Sequence, residues 1–239
     1  MVKFSTIRKR AESRKGGAQA LAALLPPAPS RETLAATPDD RALACMTQRI
    51  FCAGFVWKVI EAKWRGFEQA FEGFAPQRLA FEPDEFWEKL ASDARIVRNA
   101  SKIRAVRDNA LFVARTSKAH KGFGRFLSEW PADDEIGLLE HLSRNGARLG
   151  GMTGQYFLRF IGWDGFVLSR DVAACLRDAG VDISDTATSK RDLKLAQARF
   201  NAWAKETGLP YAHLSRICAM SIGENYDAAR LAAQGMDGA

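Results

Sequence analysis

From about residue 40 onward, apolar side chains recur every three or four residues, and this period constrains the fold more than any other feature of the sequence. In the stretch 96–114, for example, Ile103, Val106, Ala110 and Val113 share one face of a helix. No segment alternates apolar and polar residues as a strand would, and the apolar run 166–168 is too short to carry a sheet. We therefore predict an all-α protein with about nine or ten helices.

Helix start and stop signals place most of these elements. Gly162 and Gly180 are expected to end two of the helices, and Pro83 to occupy the first turn of another. The expected helical stretches are 50–60, 67–74, 96–114, 133–142, 152–161, 171–179, 190–206 and 211–222.

The first 40 residues differ in composition from the rest of the chain. Residues 1–15 hold six basic residues against Glu12 alone, and so carry +5 of the formal net charge of +7. Residues 16–40 are rich in Ala, Pro and Gly. We expect residues 1–40 to form a basic, flexible tail and linker, and residues 41–230 to form one helical domain. The tail either contacts nucleic-acid phosphates, is a targeting peptide, or is simply solvated.

Several classes of protein are disfavoured by what the sequence lacks. No apolar run reaches the roughly 18–20 residues of a membrane span, and the first residues show no signal peptide. The four cysteines and three histidines show no local pairs of the kind that bind zinc. We expect a cytoplasmic protein with reduced thiols and with neither metal nor cofactor.

Three segments in the first half of the chain follow one another in a recognisable order. They are Ala-Gly-Phe-Val-Trp at 53–57, Phe-x-x-Ala-Phe-x-x-Phe-x-Pro at 67–76, and Ile-Val-Arg-Asn-x-x-Lys-Ile at 96–103. This order resembles the 3-methyladenine DNA glycosylase I family over most of residues 46–115. The resemblance implies a base-excision repair enzyme, a DNA N-glycosylase, that hydrolyses the bond between a damaged base and its sugar.

A second pattern follows at 149–157, Leu-Gly-Gly-Met-Thr-Gly-Gln-Tyr-Phe, and Asp171 comes 19 residues after Met152. This spacing resembles the helix-hairpin-helix (HhH-GPD) DNA glycosylase superfamily. The resemblance implies a two-lobed helical bundle with a hairpin motif at about 145–161. A glycine-rich hairpin at a helix N-terminus offers free amide groups to a phosphate.

The resemblance also assigns roles to individual residues. Asp171 would be the catalytic carboxylate that stabilises the sugar cation, although Ser169–Asp171 could instead only cap a helix. Trp57 would stack on the extruded base, with Phe55 and Arg49 beside it; the alternative for Trp57 is a place in the core. The residues expected to contact the DNA backbone are Arg148, Gly150, Gly151, Thr153 and Lys102, with Arg98 as a further candidate; ordinary surface charges are the alternative for the basic ones.

The chain departs from these families at three places. Arg49 stands eight residues before Trp57, where the 3-methyladenine family has an acidic residue, and a cation there disfavours a cationic base unless Gln48 or another group substitutes for that residue. His213 and Cys218 are five residues apart, without the N-terminal Cys and His of the family's zinc site. Arg148 stands where the hairpin usually has its first glycine, although Gly146 could serve with a shifted turn. Met152 occupies the position of the Schiff-base lysine, so we expect a monofunctional enzyme.

Three hypotheses follow. The leading one is a monomeric glycosylase that acts on double-stranded DNA containing a damaged, alkylated base, and is located on DNA in the cytoplasm. The alternative is a non-catalytic protein that binds distorted or damaged duplex, which Arg49 and the altered hairpin favour. The third is an unrelated helical interaction protein, which would lose all DNA affinity when residues 1–40 are deleted.

Overall fold

A computed structural model of the chain describes residues 2–226, and this range contains fifteen α-helices, one 3₁₀ turn and no strand. The all-α class is confirmed. Residues 227–230, where the expected helical domain ends, lie outside the described range. The helices are α1 (Phe4–Lys15), α2 (Ala18–Ala23), α3 (Arg31–Ala35), α4 (Asp39–Cys52), α5 (Trp57–Ala62), α6 (Trp64–Ala70), α7 (Pro76–Leu79), α8 (Asp84–Ser92), α9 (Ala100–His120), α10 (Phe123–Glu129), α11 (Glu135–Asn145), α12 (Gly151–Ile161), α13 (Arg170–Asp178), α14 (Lys190–Thr207) and α15 (Tyr211–Ser221).

The expected count of nine or ten helices is too low, because six of the helices are short. Helices α2, α3, α5, α6, α7 and α10 have four to seven residues each. A helix of one or two turns contains too few apolar repeats to reveal its period and is held mainly by tertiary packing. The expected helical stretch at 67–74 is likewise divided, because Gly73 has a φ of 73° inside the 3₁₀ turn Glu72–Phe74.

Helix ends were predicted well where glycine marks them. Helix α12 ends before Gly162, with φ of 94°, and α13 ends shortly before Gly180, with φ of 87°. Helix α9 starts at Ala100 and not at 96, because the side chain of Asn99 caps it by accepting a hydrogen bond from the Lys102 amide at 3.1 Å. Pro83 precedes α8 as its N-cap residue and lies outside the first turn.

The described residues form two compact units. The first comprises 2–30, 131–137 and 158–226, and the second comprises 31–130 and 138–157. Helices α1, α2 and α13–α15 lie wholly in the first unit, and α3–α10 lie wholly in the second.

In the first unit, the N-terminal segment expected to be a flexible tail is a packed helix. Helix α1 lies against α15 and buries Phe4, Ile7 and Ala11, which recur at intervals of three and four residues. The Phe4 ring is 5.3 Å from that of Trp203, and Arg10 forms a 2.7 Å ion pair with Asp178. The expectation failed because this apolar stripe is narrow and is outnumbered by charged residues, and its partner helix lies far away in the sequence.

The second unit is built around aromatic side chains of α4 and α6 and the apolar face of α9. Phe51 and Phe67 meet edge to face at 4.8 Å, and Trp64 stacks on Phe74 with 5.5 Å between ring centroids. The predicted inward residues of α9 are all buried, namely Ile103, Val106, Ala110 and Val113. No helix within residues 2–226 combines the length and the apolar composition needed to cross a lipid bilayer.

Candidate functional site

An exposed apolar loop joins α4 to α5 in the second unit. Gly54 turns the chain with a φ of 75°, and the following Phe55 and Val56 are 43% and 67% exposed. Trp57 is the first residue of α5 and is partly buried. Within residues 2–226 no aromatic ring packs against the Trp57 indole, whereas Trp64, Trp87 and Trp203 all contact neighbouring rings. The Phe55 side chain is therefore accessible to a ligand, and that of Trp57 is partly accessible.

Lys102 holds this loop from inside the unit. Its ammonium donates hydrogen bonds to the carbonyl oxygens of Phe51 at 3.1 Å and Ala53 at 2.6 Å, and lies 4.5 Å from the centroid of the Phe55 ring. Lys102 thus satisfies carbonyl groups at the end of α4, where a helix leaves its last acceptors unpaired. Only 5% of the residue is exposed, so the expected contact with a DNA phosphate is replaced by a structural one.

Arg49 is a nearly buried cation on α4. Burial raises the pKa of the neighbouring Cys45 thiol to about 12, and the Arg49 charge opposes this shift. The pKa of Cys52 is also raised by burial, against the opposing charges of Arg49 and Lys102. The thiols of Cys45 and Cys52 are therefore neutral at pH 7.

The hairpin between α11 and α12 is fixed by a buried amide. Asn109, on α9, donates to the Ala147 carbonyl at 3.0 Å and accepts from the Ala147 amide at 2.8 Å. Two glycines allow close packing around this loop. A Cβ on Gly146 would lie 2.7 Å from the Leu149 side chain, and one on Gly154 would lie 2.3 Å from the Leu149 carbonyl oxygen.

The residues expected to contact DNA lie on and after this loop. Arg148 is exposed and has a φ of 57°, which non-glycine residues rarely adopt. Gly150 and Gly151 are also exposed, and Thr153 lies in the first turn of α12. The amide groups at this helix start are thus near small, solvent-facing residues. Met152 is 39% exposed and offers a thioether, not an amine.

Asp171 lies in the first unit, in the first turn of α13. The helix cap is supplied by Ser169, whose hydroxyl accepts a hydrogen bond from the Val172 amide at 3.3 Å. The Asp171 carboxylate is therefore not needed as a cap. It is partly exposed, and within residues 2–226 no side chain or backbone group donates a hydrogen bond to it. A Cβ placed on Gly223 would lie 2.6 Å from Asp171 Oδ1, so the carboxylate occupies space that a side chain at 223 would fill.

Other residues near these positions were not expected from the sequence. Glu135 is 2% exposed and accepts a hydrogen bond from the Phe166 amide at 2.8 Å, in the segment that leads to α13. Burial raises its pKa to about 8. Asn109 also escaped notice, although a polar residue on the apolar face of α9 signals a buried amide that needs partners. Glu135 shows no comparable signal, because acidic residues are common in the first turn of a helix.

The side chains considered for zinc have other partners. His213 Nε2 lies 2.8 Å from the Pro26 carbonyl oxygen. Burial, with the Cys175 thiol beside it, raises the pKa of Cys218 well above its ordinary value. Residues 2–226 contain no group of three or more His, Cys, Asp and Glu side chains placed to hold a metal ion.

Part of the sequence matches a known protein family. The profile of a family described as methyladenine glycosylase matches residues 35–143. This range contains the Phe55–Trp57 loop, Arg49 and all of α9. The resemblance to the methyladenine glycosylase family is thereby confirmed for this segment. No curated protein matches the sequence.

Solved structures resemble about half of the chain. The 3-methyladenine DNA glycosylase I of Staphylococcus aureus, described for its recognition of 3-methyladenine, is 22% identical with a TM-score of 0.45, over 51% of this chain and 74% of that one. A variant of 3-methyladenine DNA glycosylase I in complex with 3-methyladenine is 21% identical with a TM-score of 0.46, over 51% and 77%. Another 3-methyladenine DNA glycosylase I is 21% identical with a TM-score of 0.42, over 56% and 80%.

Proposed function

From the methyladenine glycosylase pattern of residues 35–143, we propose that this protein is a base-excision DNA glycosylase that removes an alkylated base from double-stranded DNA. That match is the observation that carries the proposal. The exposed Phe55 and partly exposed Trp57 side chains support it, because a glycosylase must hold a base outside the stack, and aromatic rings that solvent can reach are suited to that task.

In this mechanism the base leaves the duplex and stacks on Trp57. Breaking the bond from the base to C1′ leaves positive charge on the deoxyribose, which the Asp171 carboxylate stabilises while it orients the attacking water. The role of Ser169 as the helix cap supports this assignment, because Asp171 has no local structural task of that kind. The base leaves with the electron pair of the bond to C1′, the water oxygen bonds to C1′ to give an abasic sugar, and the proton that the water loses passes to the departing base when that base is neutral in the duplex.

The hairpin residues would hold the DNA backbone. Gly150 and Gly151 let a phosphate approach the amide groups at the start of α12, and Thr153 adds a hydroxyl in the same turn. Arg148 contributes charge beside them. Lys102 is left out of this set because its ammonium is bonded to the carbonyls of Phe51 and Ala53.

The enzyme is proposed to be monofunctional and monomeric. Met152 has no amine with which to form a Schiff base, so base removal proceeds through water and the DNA strand is not nicked. Its place in the cell is on DNA in the cytoplasm.

Arg49 bears on which base is removed. A nearly buried guanidinium near the loop that carries Trp57 disfavours a base with a fixed positive charge. A neutral alkylated base is therefore a better substrate than 3-methyladenine.

The test is release of free bases by the purified full-length protein from duplex DNA. Four substrates are compared, namely DNA methylated at random, and duplexes with one neutral alkylated base, one oxidised base or one uracil. We expect release from the alkylated substrates, no strand nicking, and a preference for the neutral lesion. If no base is released from any of the four substrates, the proposal that the protein is a glycosylase is refuted.

The second candidate is a non-catalytic protein that binds damaged duplex, which the cation at Arg49 favours. It predicts that the protein retains lesion-containing duplex more tightly than undamaged duplex while no base is released. Retention of both duplexes with equal affinity and without release would refute this candidate too.

A further inference from the structure

A cleft of about 560 Å³ lies beside the hairpin in the second unit. One wall is a face of α9 on which Ser101, Arg104 and Asp108 recur every three to four residues. The other wall is the hairpin residues Ala147 and Arg148. Arg148 is shared with the residues proposed to hold DNA at the α12 start, whereas Gly150, Gly151 and Thr153 do not line the cleft.

Cations dominate the lining of this α9 cleft. Three guanidinium groups, of Arg104, Arg107 and Arg148, face one carboxylate, that of Asp108. Arg107 is engaged by Asp84 at 2.5 Å. Within residues 2–226, no carboxylate forms an ion pair with Arg104 or Arg148. Two uncompensated guanidinium groups at a concave surface attract an anion, and their planar N–H groups suit phosphate oxygens.

The Arg148 wall of the cleft is held in place. Asn109 binds both the amide and the carbonyl of Ala147, and the side chain of Arg148 donates to the Ser101 hydroxyl at 2.8 Å. Arg148 keeps a φ of 57°, an uncommon conformation that the surrounding contacts maintain. A charged side chain fixed in advance loses less freedom when it binds a ligand.

We propose that the α9 cleft binds a phosphate group between Arg104 and Arg148, with the Ser101 hydroxyl as a further donor, and that this group is a phosphodiester of the DNA strand. This site rests on the proposed binding of DNA and not on catalysis. It extends the contact surface from the hairpin onto α9.

The test measures affinity for an undamaged DNA duplex at several salt concentrations. Arg104→Gln removes one cation, so the slope of log K against log salt should become shallower by about 0.9, with about tenfold weaker binding at low salt. Arg148→Gln should have the same effect. Arg104→Lys should retain most of the slope because it keeps the charge.

Arg125→Gln is the matched control. Arg125 is an arginine of the same unit, outside the cleft and paired with Glu129 on the next turn. Its substitution should leave the slope unchanged. Thermal unfolding of each variant checks that the fold is intact. Arg104→Gln should keep the wild-type unfolding temperature because Arg104 is exposed.

Binding of inorganic phosphate distinguishes a site for free phosphate from a site for a DNA phosphodiester. If phosphate alone binds the wild type, and Arg104→Gln abolishes that binding without changing duplex affinity, the site takes free phosphate and the DNA assignment is overturned. If Arg104→Gln and Arg148→Gln bind both the duplex and inorganic phosphate as tightly as Arg125→Gln does, the cleft is not an anion site. Base release plays no part in this readout, so failure of the glycosylase activity would be seen separately.

Discussion

Arg14 Nη2 lies 2.6 Å from the carbonyl oxygen of Gly223 and donates a hydrogen bond to it. Arg14 Nε donates to the Met220 carbonyl at 3.1 Å. The Cα of Gly223 in turn faces the carboxylate of Asp171. Helix α1, whose charge suggested a DNA-binding tail, thus holds the segment after α15 that lies against the proposed catalytic residue.

Replacing Gly223 with alanine should displace the Asp171 carboxylate. The new Cβ would lie 2.6 Å from Oδ1, closer than real contacts allow, and the φ of 74° adds strain. A displacement of about 1 Å at a reacting group costs on the order of 100-fold in rate, and we expect a loss of that size in single-turnover base release.

Gly208→Ala is the control for backbone strain. Gly208 has a φ of 70°, and its added Cβ would meet nothing within 4 Å. Both variants should lose about 1 kcal/mol of stability to backbone strain, Gly223→Ala should lose more because of the added contact with Oδ1, and only Gly223→Ala should lose activity. Equal activity of the two variants would show that Asp171 is not sensitive to its neighbour.

Arg14→Ala should lower stability and base release together. It removes two hydrogen bonds from a partly exposed guanidinium, for which we expect about 1–2 kcal/mol in urea unfolding. Arg8→Ala removes only an exposed pair with Glu12 and should cost less than about 0.5 kcal/mol. A loss of DNA affinity in Arg14→Ala, with stability and base release unchanged, would return α1 to the role of a DNA-binding segment.

The helical class could be predicted because the apolar period persists along the chain, and the ends of α12 and α13 because glycine marks them. The candidate site could be predicted only in part from local sequence patterns. Asp171, Trp57 and Arg49 came from a family resemblance, and their surroundings depend on contacts between distant segments. Asn109 meets Ala147 across 38 residues, and Arg14 meets Gly223 across 209. Neither contact can be recognised from the apolar repeat of the sequence around each residue.

Asn109→Ala should release the hairpin. It leaves the partly buried amide and carbonyl of Ala147 without these partners, which should cost about 1–3 kcal/mol. Affinity for undamaged duplex should fall as well, because Arg148 loses its fixed position. Asn145→Ala is the control, since that amide bonds only the exposed His141 carbonyl in the preceding turn. Unfolding curves that superimpose for the two variants would contradict the role of Asn109 in holding the hairpin.

Stability should fall with rising pH because of Glu135. Its pKa is about 8 in the folded chain, raised by burial and by Asp164, with Arg159 and the Phe166 amide acting in the opposite direction. The ordinary value is about 4.3, so between these two pH values the folded state keeps a proton that the unfolded state has lost. The stabilisation is complete below about pH 4 and is lost as the pH rises to about 8.

Urea unfolding at pH 5, 6.5 and 8.5 measures this effect. Glu135→Gln cannot titrate, so the free energy of unfolding of the wild type should decline relative to that of the variant across this range. Contributions from other groups cancel in the difference. Parallel curves for the two proteins would mean that Glu135 is ionised in the folded chain.

Asp171 is proposed to act on the sugar during base removal. The most direct measurement compares single-turnover base release by wild type, Asp171→Asn and Asp178→Asn on the lesion that the protein removes fastest, with duplex affinity measured beside it. Asp178→Asn is the same chemical change on the same helix, at an aspartate bonded to Arg10. Asp171→Asn should lose at least about 100-fold in rate with unchanged affinity, while Asp178→Asn should retain the wild-type rate. Wild-type release by Asp171→Asn, or an equal loss in both variants, would contradict the account.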